Sequence, residues 1–274
     1  MQQKVVVVTG ASSGMGYATL SYLLELGYKV YGLSRTQQKL AHINSKNFKA
    51  LSYDITSQES IDATVAAILQ SEKSIDVLVN NAGYGLISSV ENFKEEEMLE
   101  QFNVNLFGLL RMSKAVIPSM REHRSGVVIN ISSFLGKIGL PLLTLYNASK
   151  YAVEGVTDSL RYELREYDIR VHSILPGFFD TEFARSNLRT NSATFEENSP
   201  YNALVAKLTP QIIEQINGGN DADEVAKLIA SIIEDEKFPA RVTVGDKAKK
   251  FLAMKKELSD EDFERRVREY YGLE

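Results

Sequence analysis

The sequence predicts an α/β fold: a doubly wound parallel sheet of about seven strands, with helices on both faces. Seven short runs rich in Val and Ile support it: KVVVVT (4–9), KVYGLS (29–34), FKALSY (48–53), IDVLVNN (75–81), GVVINIS (126–132), IRVHSIL (169–175) and ARVTVG (240–245). Several are almost continuously apolar, which is typical of parallel strands buried on both faces. Helical patterns at about 15–27, 57–72, 95–123 and 145–167 alternate with them, as in βαβ units.

The composition is that of an ordinary globular protein, and it excludes several classes of function. The net charge of -5 argues against a nucleic-acid surface. Cysteine is absent, which rules out disulfides and thiolate sites, and the three histidines are too far apart for a zinc site. No apolar run approaches a membrane span or a signal sequence. We therefore expect a cytoplasmic protein with no metal, nucleic-acid or membrane partner.

The chain is expected to form a single domain over residues 1–274. The pattern loosens after residue 176, and an irregular stretch at about 178–218 contains a short helix and then a helix near 200–216. Long insertions of this kind are often lids over a binding site. A charged helical extension is expected at about 246–274, with Ser259 as a helix cap. Its charges are expected to form a solvated helix face.

The segment TGASSGMG (9–16) is a candidate phosphate-binding turn. It follows the first strand directly and opens a helix. Gly10, Gly14 and Gly16 would let the backbone approach a pyrophosphate, which the free N–H groups of the helix N-terminus would bind. The alternative is a glycine-rich turn without a ligand. Because ligands of such sheets bind at the carboxyl ends of the strands, the position favours nucleotide binding.

The end of the second strand indicates the type of dinucleotide. NAD-binding proteins of this architecture place a carboxylate there to hold the ribose 2′-hydroxyl. This chain instead has Ser34 followed by Arg35. A guanidinium can bind a 2′-phosphate, so NADP(H) is preferred and NAD(H) remains possible. The alternative is that Arg35 is a solvated loop cation.

The stretch LYNASKYAVEG (145–155) places Tyr146 and Lys150 four residues apart on one helix face. If that face lines a cleft, the lysine charge favours tyrosinate and lowers the tyrosine pKa, which makes the pair a proton donor near neutral pH. The alternative is a surface Tyr–Lys pair. The small or short side chains at 147–149 leave the face open to a ligand.

Taken together, the motifs resemble those of the short-chain dehydrogenase/reductase family. TGASSGMG, YDIT, NNAG, NVNLFG, NISS, YNASK and LPGFFDTEF occur in family order between residues 9 and 183. The resemblance implies that Tyr146 is the general acid in carbonyl reduction and that Lys150 lowers its pKa and binds the nicotinamide ribose. Ser133 would bind the substrate oxygen, and Asn105 would hold a water that links Lys150 to solvent.

The resemblance also implies a set of cofactor-binding residues. Asp54 would contact the adenine, and Thr181 would bind the carboxamide. The full set is Gly10, Ser12, Ser13, Gly14, Met15, Gly16, Ser34, Arg35, Asp54, Ile55, Asn81, Ala82, Gly83, Tyr146, Lys150, Pro176, Gly177, Phe179 and Thr181. Simpler explanations stay open: Asp54 as a turn residue, Asn81 as a strand-end residue and Thr181 as a helix cap.

The substrate is expected to be a lipophilic or aromatic ketone or aldehyde. The loops near the nicotinamide end are mostly apolar: Tyr84, Phe134, Leu135, Leu140, Leu142, Phe178, Phe179 and Phe183. Some of these could instead form core beneath the lid, and Arg185 and Arg189 leave an anionic substrate open. The alternatives are a 3-oxoacyl thioester reductase, with Arg111, Arg121 and Arg124 docking an acidic carrier, or a non-catalytic NADP(H) sensor. By family analogy, the two long helices would pair subunits into a homodimer or homotetramer.

Overall fold

The computed structural model describes residues 3–273. The strands are β1 (Val5–Thr9), β2 (Lys29–Ser34), β3 (Phe48–Ser52), β4 (Val77–Asn80), β5 (Gly85–Ile87), β6 (Gly126–Ile131), β7 (Ile169–Pro176), β8 (Phe179–Asp180), β9 (Leu188–Thr190), β10 (Asn220–Asp221) and β11 (Arg241–Val244). The helices are α1 (Gly14–Glu25), α2 (Gln58–Ser71), α3 (Glu95–Phe102), α4 (Gly108–Glu122), α5 (Thr144–Leu164), α6 (Ser192–Phe195), α7 (Asn202–Asn217), α8 (Asp223–Glu234), α9 (Asp246–Glu257) and α10 (Asp260–Tyr271).

The central sheet has seven parallel strands within the described residues, in the order β11-β7-β6-β4-β1-β2-β3. The predicted doubly wound architecture is therefore confirmed, and each of the seven predicted runs corresponds to one of its strands, although β7 extends one residue further, to Pro176. The strand order reverses between β1 and β4. Ligands of open α/β sheets bind at such a switch point, beyond the carboxyl ends of the strands.

The run of four valines in β1 shows why these strands are apolar throughout. Val6 and Val8 contribute to one core, whose helices are α1 and α8, whereas Val5 and Val7 contribute to the other, whose helices include α2 and α4. Successive strand residues point to opposite faces, so a strand covered on both sides is apolar at every position. Helix α8, which our sequence analysis did not identify, covers the first face with Val225 and its neighbours.

A third apolar cluster lies beyond the sheet and joins the insertion to the C-terminal helices. Its buried members include Phe134, Phe178, Ile212, Phe251 and Tyr271. Ser259 caps α10 as predicted, because its side chain accepts a hydrogen bond from the backbone N–H of Asp262. The charged face of α10 is solvated, but its opposite face is buried in this cluster.

The predicted long helix at 95–123 is interrupted by a π-helical turn at Asn103–Phe107. Asn105 lies in this turn, and its side chain bonds the backbone of Tyr84 instead of facing solvent. Short π-helical segments of this kind are frequent at functional sites. Within residues 3–273, no helix is both long and apolar enough to cross a membrane.

Candidate active site

Most of the predicted site residues line one cleft of about 930 Å³ at the carboxyl ends of the strands. The predicted residues on its wall are Gly10, Ser12, Ser13, Gly14, Met15, Ser34, Arg35, Asp54, Ile55, Asn81, Ala82, Gly83, Tyr146, Lys150 and Thr181. Pro176, Gly177 and Phe179 line a smaller pocket that shares Tyr146 and Thr181 with the cleft. Gly16 is not among the residues lining either space.

The turn between β1 and α1 requires glycine for two different reasons. Gly10 has a φ of +64°, in the left-handed region that glycine adopts most easily. At Gly16, a Cβ would lie 2.4 Å from the Gly10 carbonyl oxygen and 2.5 Å from Asn81 Nδ2. Gly16 therefore acts by packing closely behind the turn. The first N–H groups of α1, which begins at Gly14, have no partners within the helix and face the cleft.

Asn81 holds this turn against β4. Its Nδ2 donates to the carbonyl oxygens of Thr9 at 2.9 Å and of Gly10 at 3.3 Å, and its backbone N–H donates to the Thr9 hydroxyl at 2.9 Å. The simpler expectation of a strand-end role therefore describes its contacts among the described residues. Asn81 also lines the cleft, and its contact with a cofactor stays a prediction.

Two cationic side chains, those of Arg35 and Lys39, follow the end of β2. Arg35 was predicted there, and Lys39, which our sequence analysis did not identify, lines the same part of the cleft from a 3-10 turn at Gln37–Leu40. Both side chains are exposed. Ser34, the last residue of β2, accepts a hydrogen bond from the backbone N–H of Thr36 at 3.1 Å, which shapes the loop. The four-residue spacing of Arg35 and Lys39 is the sequence signal that could have identified Lys39 as a second cation here.

Asp54 lies at the outer end of the cleft. Hydrogen bonds from the Thr56 hydroxyl and backbone N–H lower the pKa of its carboxyl group, and the charges of Arg35 and Arg111 act in the same direction. Asp54 is thus an ionised turn residue that also lines the cleft. The neighbouring Ile55 packs so closely on α4 that a Cβ at Gly108 would lie 2.4 Å from its Cγ1.

The catalytic candidates Tyr146 and Lys150 project from α5 into the cleft, as their spacing predicted. Lys150 is buried, and its Nζ donates to the carbonyl oxygen of Ile131 at 2.9 Å and lies 5.7 Å from the centre of the Tyr146 ring. Ser133 follows β6 and faces the same point, and its hydroxyl accepts a hydrogen bond from the Leu135 N–H at 3.1 Å. Serine, tyrosine and lysine are thus brought together from two elements.

Asn105 is buried beside this group. Its Nδ2 donates to the Tyr84 carbonyl oxygen at 2.9 Å and to the Ser149 hydroxyl at 3.2 Å, and its Oδ1 accepts from the Tyr84 N–H at 3.0 Å. A Cβ at Gly83 would lie 3.2 Å from Asn105 Oδ1 and 3.8 Å from Lys150 Nζ. The absence of a side chain at Gly83 therefore keeps Asn105 close to Lys150.

Desolvation sets the electrostatics of the site. Burial raises the pKa of Tyr146 to about 12, and hydrogen bonding with Ser133 opposes the rise. Burial lowers the pKa of Lys150 to about 8, and the negative charge of Glu154 opposes the fall. The direction at Tyr146 is opposite to the expected lowering by Lys150, because desolvation of the tyrosinate is the larger effect. At neutral pH the phenol is protonated and Lys150 is mostly charged.

A buried chain of polar side chains supports the site from below. Asn80 Nδ2 donates to Asn130 Oδ1 at 3.0 Å and to the Ser113 hydroxyl at 3.2 Å, and Asn130 Nδ2 donates to the Thr157 hydroxyl at 2.9 Å. These bonds tie β4 and β6 to α4 and α5. Our sequence analysis did not identify this chain, because its members are 27 to 50 residues apart.

The smaller pocket, of about 70 Å³, begins at Tyr146 and is largely apolar. Phe134, Leu135, Phe178, Phe179 and Phe183 line it as expected, together with Ile212 and Ile216 of α7. Leu140 and Leu142 are buried in the cluster beneath it, as the core alternative suggested. Tyr84 lines the large cleft instead.

Residues of the predicted insertion line both spaces, and several contacts join the insertion to the rest of the protein. Strand β9 pairs with β5, and Arg189 forms an ion pair with Glu100 at 2.8 Å and lies 4.3 Å from the centre of the Tyr84 ring. Thr181 accepts a hydrogen bond from the Phe183 N–H at 3.2 Å, and Phe183 begins a π-helical turn at Phe183–Asn187. The side chain of Arg185 lies outside the described part of the chain.

Other residues considered from sequence lie elsewhere. Arg124 pairs with Asp168 at 3.3 Å, and Arg111 reaches the carbonyl oxygens of Ile55 and Asn103, so these cations do not form one free patch. Within residues 3–273, no three His, Asp or Glu side chains are grouped so that they could hold a metal ion.

Comparison with known proteins explains this arrangement. The family model described as short chain dehydrogenase matches residues 4–192. A 3-ketodihydrosphingosine reductase from Bacteroides thetaiotaomicron is 34% identical over 274 residues, 100% of both chains. A short-chain dehydrogenase structure from Streptomyces avermitilis is 32% identical and superimposes with a TM-score of 0.84, covering 100% of this chain and 97% of that one. A metagenomic short-chain oxidoreductase in complex with NADP is 26% identical, with a TM-score of 0.70 and coverages of 88% and 96%. The chain therefore belongs to the short-chain dehydrogenase family of nicotinamide-dependent oxidoreductases.

Proposed function

We propose that this oxidoreductase uses NADPH to reduce a ketone or aldehyde on a lipophilic molecule. The observation that carries the proposal is the position of Tyr146, which borders both the large cleft, of a size that suits a dinucleotide, and the smaller apolar pocket. A carbonyl group in that pocket would meet the phenol on one side and the reduced nicotinamide on the other. The proton donor, the cofactor and the substrate would then meet at Tyr146.

The residues of the cleft suit a dinucleotide phosphate. The glycine turn and the start of α1 would hold the pyrophosphate, Asp54 the adenine, Lys150 the nicotinamide ribose and Thr181 the carboxamide. Arg35 and Lys39 would hold a 2′-phosphate, which two cations bind better than one. The dinucleotide supplies the hydride when bound. NADP(H) is therefore preferred over NAD(H), and a bound NADP in a related structure agrees with this.

The side chains of this protein would manage the proton. Tyr146, whose pKa of about 12 keeps it protonated at neutral pH, donates its proton to the substrate oxygen. Ser133 hydrogen-bonds the same oxygen and stabilises the negative charge that develops there. Lys150 favours the resulting tyrosinate, and Asn105 holds a path by which Lys150 exchanges protons with water. A protonated phenol suits the reductive direction.

The apolar pocket supports a lipophilic substrate. Its lining by Phe134, Phe178 and Ile212 offers few polar partners to a charged group. The relative aligned over its full length is named for a long-chain keto-lipid, which agrees with an apolar substrate. The insertion at 178–218 would act as the lid, with Arg189 and Glu100 at its edge. The exposed ion pair between Arg189 and Glu100 lies at the large cleft and not among the residues that line the smaller apolar pocket.

The alternative reductase acting on carrier-bound 3-oxoacyl thioesters has less support. Arg111 and Arg124, two of the three cations considered for carrier docking, are engaged with neighbouring groups at separate places. A non-catalytic sensor would have no use for the assembled Ser133, Tyr146 and Lys150.

Pairing of subunits through α4 and α5 remains part of the proposal, and exposed Leu110 and Tyr151 on these helices would contribute to such an interface.

The proposal is tested by following NADPH oxidation with three kinds of carbonyl compound. These are a long-chain apolar ketone, a short aldehyde and a keto acid, each assayed with NADPH and with NADH. We expect kcat/KM to be at least about tenfold higher for the apolar ketone than for the keto acid, which corresponds to ~1.4 kcal/mol. Preference for the keto acid would refute the apolar substrate. Tight NADPH binding without turnover of any compound would favour the sensor.

A further inference from the structure

A buried carboxylate lies one helical turn beyond Lys150. Glu154 is 2% exposed and follows Lys150 by four residues on α5. Its Oε2 accepts a hydrogen bond from the Arg241 guanidinium at the start of β11 and lies 3.3 Å from Lys137 Nζ. Its Oε1 has no hydrogen-bond partner among the described residues. Burying a carboxylate costs free energy unless the carboxylate is paired with cations or hydrogen-bond donors. The two cations at Oε2 and the unbonded Oε1 therefore suggest a specific role for Glu154.

The loop that follows Ser133, residues 134–137, packs against this same turn of α5. A Cβ at Gly136 would lie 2.9 Å from the Lys150 carbonyl oxygen and 3.1 Å from Glu154 Cγ. Lys137, the next residue, is the one that pairs with Glu154. The loop that follows Ser133 is therefore packed directly onto Lys150 and Glu154, and an ion pair closes the contact.

Among the residues that the structure describes, Glu154 is the anion whose charge raises the pKa of Lys150. Burial lowers the pKa of Lys150 to about 8, and Glu154 raises it. Tyr146 faces Lys150 from the preceding turn and is neutral at this pH. Lys137 and Arg241 are cations, and both pair with Glu154. Asp158 pairs with Arg241 at 2.9 Å, but its side chain is 46% exposed and therefore well screened.

We propose that Glu154 is a positioning residue: it keeps Lys150 protonated and, through Lys137, fixes the Ser133 loop against the helix that carries Tyr146. This inference rests on the proposed reductase function. A purely structural role, in which Glu154 only joins α5 to β11 through Arg241, is the competing explanation. The two roles differ in what they predict for the proton affinity of Lys150.

The test compares wild type with Glu154→Gln, which keeps the shape and removes the charge. Acetic anhydride acylates only the neutral amine, so acylation of Lys150 as a function of pH, read by mass spectrometry, reports its protonation without turnover. We expect the midpoint to fall by about one pH unit, because a buried opposite charge one helical turn away has been removed. The high-pH decline of kcat/KM for carbonyl reduction should move down with it.

Asp158→Asn is the matched control, since it also removes a carboxylate from Arg241 but lies a further turn from Lys150. It should keep the wild-type midpoint, and Glu154→Asp should restore most of it. An unchanged midpoint in Glu154→Gln, or an equal fall in Asp158→Asn, would overturn the inference. If Glu154→Gln does not fold, the double variant Glu154→Gln/Lys137→Met, which removes both partners of the ion pair, serves instead. Its midpoint should lie below that of Lys137→Met alone, and equal midpoints in these two variants overturn the inference.

The two proposals fail in different ways. If the wild-type protein reduces none of the carbonyl compounds, the proposed function is refuted, whatever the acylation profile. If it does reduce them while the Lys150 midpoint is the same in wild type and Glu154→Gln, the function stands and the role of Glu154 is wrong.

Discussion

Replacing Gly16 with alanine should damage the turn between β1 and α1, although Gly16 itself does not line the cleft. The new Cβ would lie 2.4 Å from the Gly10 carbonyl oxygen, whereas real Cβ atoms essentially never approach within 3.0 Å. The turn must therefore open by at least the missing 0.6 Å. Both close neighbours, the Gly10 carbonyl and the Asn81 amide, are held by the hydrogen bond between them, so neither can move freely.

The size of the effect follows from overpacking, which typically costs ~1–3 kcal/mol. For a chain of this size, each kcal/mol lowers Tm by about 2–4 °C, so we expect Tm to fall by roughly 2–12 °C. Movement of the turn should also raise the Kd for NADPH at least about tenfold, or ~1.4 kcal/mol. Fluorescence titration measures the Kd, and thermal unfolding with and without NADPH measures the loss of ligand stabilisation.

Gly155→Ala is the matched control. It makes the same chemical change in α5, where no heavy atom lies within 4 Å of the added Cβ. Alanine favours a helix interior over glycine by ~1 kcal/mol, so this variant should be as stable as wild type or more stable, with an unchanged Kd. If Gly16→Ala bound NADPH as tightly as Gly155→Ala, the close packing of the turn would not matter for binding.

Three further predictions follow from the site. Arg35→Ala and Lys39→Ala should each raise the Kd for NADPH about tenfold and leave NADH unchanged in fluorescence titrations, with exposed Lys46→Ala as the control. The kcat/KM for reduction should fall as pH rises through about 8, because Lys150 then loses the charge that favours tyrosinate; a flat profile across that range would contradict this. Phe251→Ala should lower the free energy of unfolding, measured in urea, by ~3–5 kcal/mol, because Phe251 is fully buried in the third apolar cluster. A loss below ~1 kcal/mol would contradict that packing.

The parts of the fold that depend on local pattern were predictable. The valine run of β1 is apolar on both faces because both faces are covered, and the spacing of Tyr146 and Lys150 is a helical repeat. The resemblance to a known family then supplied roles for residues whose positions the sequence had already marked. Thus the sheet and most of the cleft wall could be placed before the structure was available.

The remaining parts depend on contacts between distant segments. Glu154 and Arg241 are 87 residues apart, and no periodicity relates them. The direction of the Tyr146 pKa also required the structure, because burial opposes the effect of Lys150 and its strength cannot be read from spacing. Helix α8 is different: its apolar repeat, beginning at Val225, was present in the sequence and was overlooked.

The central claim is that Tyr146 is the proton donor of a carbonyl reductase, and Tyr146→Phe tests it most directly. The variant loses only the hydroxyl group, and Tyr151→Phe, an exposed position on the same helix, is its control. We predict that Tyr146→Phe binds NADPH within about twofold of wild type while kcat for the apolar ketone falls by roughly 10²–10⁴, the usual contribution of a general acid. If Tyr146→Phe kept a wild-type kcat, the proton would come from another group and the account would be wrong.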